Sequence, residues 1–140
     1  MDIKGYLSLY HQTLVKIRKI QDLVDVYIRL ANEIPGVQYD AIRVDGGKNL
    51  KAPFEKWILK ALDYENQIEE LKRTLPIIKE DVIAEIEKLE DENQRKVLIY
   101  RYIDWHTWNE IAELMYISLS TVKRWHTNAL DYLNFTKNVV

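Results

Sequence analysis

Residues 107–125 read TWNEIAELMYISLSTVKRW, and this stretch decides how the chain can fold. Two short helical patterns are separated there by only Tyr116, Ile117 and Ser118. Helices joined so closely cross at a steep angle, as in the helix-turn-helix motif, whose second helix lies in the major groove of DNA. Tight helix pairs also occur in helical proteins that never touch DNA. The spacing alone therefore leaves DNA binding and simple packing as two interpretations.

Helix-start signals stand on both sides of this turn. Thr107 and Glu110 fit the T-x-x-E capping box, in which each side chain accepts a hydrogen bond from the other residue's free backbone N–H. We expect the helix that follows to end at Met115, and the final helix to be capped by Ser118 or Ser120. Upstream, Asp91 is a plausible N-cap for a helix over residues 92–103.

The final helix has two faces. Its apolar stripe consists of Val122, His126, Ala129, Leu130 and Leu133. Outside that stripe lie polar side chains suited to a DNA groove, since arginine matches guanine, asparagine matches adenine, and lysine or hydroxyl groups meet phosphates. The residues predicted to contact DNA are Ser118, Ser120, Thr121, Lys123, Arg124, Thr127 and Asn128.

The first 33 residues predict one long helix. Apolar residues recur at helical spacing from residue 2 to residue 33, and Pro35 with Gly36 ends the pattern. Residues 34–52 contain three of the four glycines and no helical period. This segment predicts a loop, with a short strand possible at residues 41–44.

A seven-residue repeat begins at Phe54. Its a positions are Phe54, Ala61, Ile68, Leu75, Val82 and Leu89, and its d positions are Trp57, Tyr64, Leu71, Ile78 and Glu85. Such a repeat favours a supercoiled helix pair, formed with the first helix or with a second chain. Bundle core and dimer seam remain equal alternatives. Pro76 predicts a kink or a break near residues 74–76, with a new helix starting there.

Charge and composition limit which classes of function fit the chain. The net charge is −2, and residues 53–91 carry eleven acidic and six basic side chains, so a DNA-binding face requires this acidic segment to point away from phosphates. The chain has no cysteine, which excludes disulfides and thiolate metal sites. No membrane-length apolar run or signal-peptide pattern is present, so we expect a cytoplasmic protein with no membrane partner.

The segment RKVLIYRYIDWHTWNEIAELMYISLSTVKRWHTNALDYL resembles region 4 of bacterial sigma factors. It resembles more closely the ArpU and RinA group of phage regulators, through VLIYRYI at 97–103, TWNEIA at 107–112 and STVKRWHTNAL at 120–130. The stretch IPGVQYDAIRVDGG at 34–47 also looks like that group. Two positions depart from the pattern: Tyr116 stands where such turns commonly place glycine, and Trp125 is bulkier than expected.

This resemblance implies a small activator of late phage genes. The sigma-factor regions that bind core polymerase and melt promoters have no visible counterpart, so we expect an activator or adaptor and not a complete sigma factor. The expected fold is all-α: residues 1–90 form a helical hairpin or coiled coil for oligomerisation, and residues 91–140 form a helix-turn-helix domain. Double-stranded DNA, a second copy of the chain and RNA polymerase are the expected partners.

Two other function classes compete with the activator. A small phage packaging subunit, resembling a terminase small subunit, would also combine a helix-turn-helix with an oligomerising coiled coil. An enzyme would need a nucleophile, a base and a charge stabiliser in one place, or a metal with its ligands. The carboxylate pairs lie on a solvated helix, and the three histidines lack a metal-ligand spacing. We therefore expect no catalytic site, cofactor or metal.

Overall fold

The computed structural model describes residues 2–33 and 48–138, and these residues are helical apart from short connections. In chain order the elements are α1 Ile3–Leu7, α2 Leu9–Asn32, α3 Lys48–Ile86, α4 Glu92–Leu98, a π-helix Ile99–Ile103, α5 Trp108–Met115 and α6 Leu119–Asn138. No strand occurs within these residues. The predicted all-α class, with long helices before a helix-turn-helix, is confirmed.

The predicted loop at residues 34–52 is only partly within the described chain. Residues 34–47, including the proposed strand at 41–44, lie outside the described residues. Helix α3 begins at Lys48, so the prediction of a loop over residues 48–52 is wrong. The glycine-rich text suggested a later start because its last glycine is Gly47, the residue immediately before the helix.

One compact unit contains residues up to Leu14 together with those from Thr74 onward. Its larger hydrophobic cluster joins α1, the end of α3, α4 and α6. The buried members are Ile3, Leu7, Val82, Ile86, Leu89, Leu98, Tyr102, Ala129 and Leu133. A smaller cluster of Val97, Ile111 and Val122 holds α4, α5 and α6 together. The helix-turn-helix therefore sits on a core built partly from the first residues of the chain.

The other compact unit spans Val15–Arg73 and pairs α2 with α3. Its buried residues are Ile20, Val24, Ala61 and Ile68, with Tyr27 and Tyr64 among the half-buried side chains packed against them. The rings of Tyr27 and Tyr64 lie 5.9 Å apart in a stacked arrangement. The predicted domain boundary at residues 90 and 91 concerns independent folding and stays a prediction.

The first helical pattern is divided at Ser8, so the prediction of one uninterrupted helix over residues 2–33 is wrong. The Ser8 hydroxyl donates a 2.8 Å hydrogen bond to the Lys4 carbonyl. Serine bonded back to the preceding turn in this way commonly bends a helix. The chain nevertheless stays helical on both sides, and Gln12 N–H donates to the Ser8 carbonyl at 2.9 Å.

Pro76 does not end α3, which runs continuously from Lys48 to Ile86. The predicted start of a new helix near residue 76 is therefore wrong. A proline in a helix interior removes one backbone hydrogen bond and clashes with the carbonyl four residues earlier, which together cost about 3 kcal/mol. Leu71 before it and Ile78 after it each pack against a buried cluster. The packing of the helical turns that carry Leu71 and Ile78 offsets the cost of the proline. Pro76 itself is exposed.

Much of the apolar heptad stripe of α3 packs against other residues of the same chain. Its a positions Phe54, Ala61, Ile68 and Val82 are each at most 3% exposed. The non-apolar d residue Glu85 has a side chain only 13% exposed and lies 2.8 Å from the Lys88 ammonium. This ion pair is the main cause of the raised pKa of Lys88. Packing within the chain therefore buries these four a positions, and a second chain as a further partner of the stripe stays a prediction.

The helix predicted over residues 92–103 forms with a change of winding. Asp91 caps it as expected, accepting hydrogen bonds from the N–H groups of Asn93 and Gln94 at 2.8 and 3.2 Å. From Ile99 to Ile103 the backbone is a π-helix, and Asp104 N–H donates to the Ile99 carbonyl at 3.1 Å. No feature of the sequence pattern predicted this wider turn.

Candidate nucleic-acid interface

Helix α5 begins with the predicted capping box. Glu110 N–H donates to the Thr107 hydroxyl at 3.2 Å, and Thr107 N–H donates to the Glu110 carboxylate at 3.2 Å. The bond from the Thr107 backbone is the main cause of the lowered pKa of Glu110, and the hydrogen bond to His106 adds to it. These contacts fix where α5 starts.

The turn between α5 and α6 places Tyr116 in the left-handed region, at φ 57° and ψ 42°. Ile117 N–H donates to the Ala112 carbonyl at 3.1 Å, and Tyr116 N–H donates to the Glu113 carbonyl at 3.3 Å. This pair of bonds is a Schellman ending, which usually has glycine at the left-handed position. The tyrosine side chain is 94% exposed, so no packing offsets the strain of about 1 to 2 kcal/mol.

Ser118 caps the start of α6. Its hydroxyl accepts a hydrogen bond from Thr121 N–H at 3.2 Å and lies 2.7 Å from the Thr121 hydroxyl. Ser120 joins the same group, with its hydroxyl 3.2 Å from that of Ser118. Of the two caps considered, the structure uses Ser118. Three hydroxyl groups thus cluster at the end of the helix that carries the positive side of its dipole.

Four of the five residues in the predicted apolar stripe of α6 are buried, and Leu130 is half-buried. Val122, Ala129 and Leu133 are each 0% exposed, and His126 is 7% exposed. The His126 Nε2 atom lies 2.7 Å from the Tyr102 hydroxyl, and Trp108 meets the imidazole edge-on with ring centres 4.7 Å apart. Burial, more than the nearby charges of Lys4 and Arg101, lowers the pKa of His126 to about 4. His126 is therefore a neutral packing residue at pH 7.

The predicted DNA-contacting residues share the opposite side of α6. Six of them are exposed: Ser118, Ser120, Lys123, Arg124, Thr127 and Asn128. Thr121 is half-buried beside the serine cap. Within the described chain, neither Lys123 nor Arg124 forms an ion pair. Both cations are therefore available to an external anion, and the predicted contact role itself stays a prediction.

Arg101 contacts several residues in the connection between the π-helix and α5, a role that the sequence pattern did not reveal. Its guanidinium lies 4.4 Å from the ring centre of Trp108 and 5.2 Å from that of Trp105, and it donates a 3.0 Å hydrogen bond to the His106 carbonyl. The connection between the π-helix and α5 is built around this cation. No local sequence signal marks such a role, because it depends on how three side chains are brought together.

Trp105 is held in an unusual conformation within that connection. Its φ is 56°, and its ring stacks on His11 with centres 3.6 Å apart and planes 6° from parallel. His11 belongs to α2, more than ninety residues earlier in the sequence. The stacking makes Trp105 a contact between α2 and this connection, although 39% of the residue stays exposed.

Comparison with known protein families supports the helix-turn-helix for part of the chain. Residues 87–134 match the family model described as Sigma-70, region 4, which covers α4, the π-helix, α5 and most of α6. That region is a helix-turn-helix of the DNA-binding, transcription-related type and is not a catalytic domain. No curated protein and no solved structure matches the chain significantly.

Two negative findings concern the described residues alone. None of their helices is both long and apolar enough to cross a membrane. In residues 2–33 and 48–138, no three histidine, cysteine, aspartate or glutamate side chains come together as a metal site would require.

Proposed function

We propose that this protein is a sequence-specific transcriptional regulator of the ArpU and RinA type, activating late phage genes by inserting α6 into the major groove of DNA. One observation carries the proposal. In the segment that matches sigma region 4, the first two turns of α6 present free basic and polar side chains, while the opposite face of the helix is buried. The N-terminal residues of a recognition helix are those that reach base edges.

Each side chain has a distinct expected role. Arg124 points away from the buried stripe and can offer a bidentate fork to guanine. Asn128, one turn further along, can pair with adenine. Lys123 and Thr127 lie toward one edge of the helix, where phosphates are closer than bases. Ser118, Ser120 and Thr121 surround the start of α6, where hydroxyl and backbone N–H groups suit a phosphate.

A second subunit or RNA polymerase is part of this proposal. The chain as a whole carries a net charge of −2, and the candidate face has only two cations among its seven residues. Affinity for DNA rises with the number of phosphates that are neutralised, so one subunit gains little from this term. Two linked subunits, or one subunit held by polymerase, would gain affinity from a raised effective concentration.

The test is DNA binding by wild type and by Arg124→Ala, measured by fluorescence anisotropy on fragments of the neighbouring genome. If Arg124 contacts a base, its loss costs about 1 to 3 kcal/mol on the specific site and relaxes the preference at one position. Arg18→Ala is the matched control, because Arg18 is an exposed arginine on α2 in the other compact unit. The control should bind like wild type.

Contrary outcomes are distinct. Equal losses in Arg124→Ala and Arg18→Ala would assign binding to overall charge and reject a base contact. No binding by folded wild type, either alone or with added RNA polymerase, would reject the proposed function. Light scattering on the same samples measures the subunit number: a dimer fits the regulator, whereas a large ring would favour the packaging subunit.

A further inference from the structure

Helix α1 lies against the candidate DNA-binding helix, although more than a hundred residues separate them in sequence. Ile3 and Leu7, at 2% and 0% exposure, pack in the same cluster as Ala129 and Leu133 of α6. The Asp2 carboxylate caps α1 by accepting a 2.7 Å hydrogen bond from Gly5 N–H. The position of α1 beside α6 is thus set by buried apolar contacts, and its exposed residues are held at a defined place.

An open cavity of about 510 Å³ separates the exposed sides of α1 and α6. Lys4 lines it from α1, and Lys123, Thr127 and Asn134 line it from α6. Lys123 and Asn134 are eleven residues apart, so they share one edge of the helix. That edge adjoins the exposed face that carries Arg124. Lys4 therefore flanks the candidate DNA-binding face on the side of Lys123.

We propose that Lys4 contacts a DNA phosphate alongside Lys123, so that α1 forms one edge of the DNA-binding surface. This inference rests on the proposed function. An α-helix with its side chains is about 10 to 12 Å wide and the major groove is about 12 Å wide, so side chains at the edges of a groove-bound helix meet the sugar-phosphate strands. A lysine placed beyond that edge reaches the phosphates without entering the groove.

The charged residues that line the cavity are two lysines and two aspartates. Lys4 is exposed and its ammonium forms no ion pair within the described residues. After burial, its charge is the next cause of the lowered pKa of His126, which places it within electrostatic range of α6. Asp2 and Asp131 also line the cavity. The Asp2 carboxylate is engaged by Gly5, whereas Asp131 is exposed and would repel a phosphate held by the two lysines.

The experiment compares Lys4→Gln with wild type over a range of salt concentrations, on specific and on unrelated DNA. A phosphate contact predicts severalfold weaker binding to both DNAs at low salt. It also predicts that the slope of log K against log salt becomes shallower by about 0.9. Lys4→Arg should restore binding, since it keeps the charge. Lys16→Gln, which removes an exposed lysine of α2, should match wild type.

A variant of opposite sign sharpens the test. Asp131→Asn removes a negative charge from the same cavity, so it should strengthen binding to both DNAs, and Lys4→Gln should reduce that gain. If Arg124→Ala abolishes specific binding but Lys4→Gln has the affinity and salt slope of Lys16→Gln, the inference about α1 is overturned while the proposed function stands. If folded wild type binds no DNA, either alone or with added RNA polymerase, both are overturned.

Discussion

The helix-turn-helix and the α2–α3 pair are held together in different ways. In the helix-turn-helix, the helices are fixed at their starts: Asp91, Thr107 and Ser118 each accept backbone hydrogen bonds there. In the α2–α3 pair, long helices meet along an apolar stripe, and the surface carries i, i+3 and i, i+4 polar pairs such as Arg73 with Glu70. End contacts determine where a helix starts, whereas a stripe determines only which side of it is buried.

This difference affects what each region can do. A DNA-binding helix must be placed within a fraction of an ångström, and caps together with the buried His126 and Tyr102 supply that placement. A stripe of aliphatic residues tolerates small sliding movements more readily, since dispersion contacts have little directionality. We therefore expect substitutions to have sharper, more local consequences in the helix-turn-helix than in the α2–α3 pair.

The largest expected effect tests whether the two compact units unfold separately. Ile111→Ala removes a fully buried side chain beneath the helix-turn-helix and should lower the free energy of unfolding by about 2 to 5 kcal/mol. Ile68→Ala makes the equivalent change in the α2–α3 pair. Chemical denaturation is followed by tryptophan fluorescence. Because Trp105, Trp108 and Trp125 all belong to the same unit as Ile111, the unfolding midpoint should shift strongly in Ile111→Ala and less in Ile68→Ala. Identical shifts in both variants would instead indicate one cooperative unit.

The next effect is a pH dependence that belongs to the helix-turn-helix. The pKa of His126 is about 4 in the folded protein and 6.5 without the fold, so both states are neutral above pH 6.5. Below pH 6.5 the unfolded chain takes up a proton that the folded chain refuses, and stability falls until about pH 4. The loss should reach at most about 3 kcal/mol.

Denaturant titrations between pH 7 and pH 4 measure this loss. His126→Gln is the matched variant, because a glutamine amide can also form a hydrogen bond with the Tyr102 hydroxyl but does not titrate. Its stability should fall less than that of wild type over the same window. Parallel curves for the two proteins would show that other groups cause the acid sensitivity.

A smaller effect compares an end contact with a surface pair. Thr107→Ala removes the hydroxyl half of the capping box and should lower stability by about 1 kcal/mol. Arg73→Ala breaks an ion pair whose two side chains are 72% and 71% exposed, and it should change stability by a few tenths of a kcal/mol. Thermal melts of the two variants beside wild type test the ranking. A larger loss in Arg73→Ala would overturn the contrast between caps and surface pairs.

The smallest expected effect is a gain in stability. Tyr116→Gly should stabilise the protein by about 0.5 to 1 kcal/mol, because glycine adopts the left-handed conformation without strain and the exposed side chain loses no packing. Thermal unfolding measures the gain. Tyr116→Ala is the control, since it also removes the ring but keeps the Cβ atom that causes the strain, and it should not be stabilised. Destabilisation by glycine would mean that the Tyr116 ring makes a stabilising contact in spite of its exposure.

Local sequence signals were sufficient for the starts of α4, α5 and α6 and for the buried faces of the helices. The T-x-x-E spacing at Thr107, the cap at Asp91 and the stripe ending at Leu133 all involve residues within a few turns of one another. Their geometry follows from one helix considered alone. The all-α class, the helix-turn-helix and the buried position of His126 could therefore be predicted from the order of the residues.

Tertiary packing decided the features that join distant residues. Helix α3 continues through Pro76 because clusters on both sides hold its turns, and the stacking of His11 on Trp105 holds a connection that has no local signature. Lys4 lines the same cavity as Lys123 because Ile3 and Leu7 are buried against α6. Sequence alone determined which residues could form helices and which side each helix would bury. Only the fold determined which buried sides meet, because that choice depends on shape and volume among residues far apart along the chain.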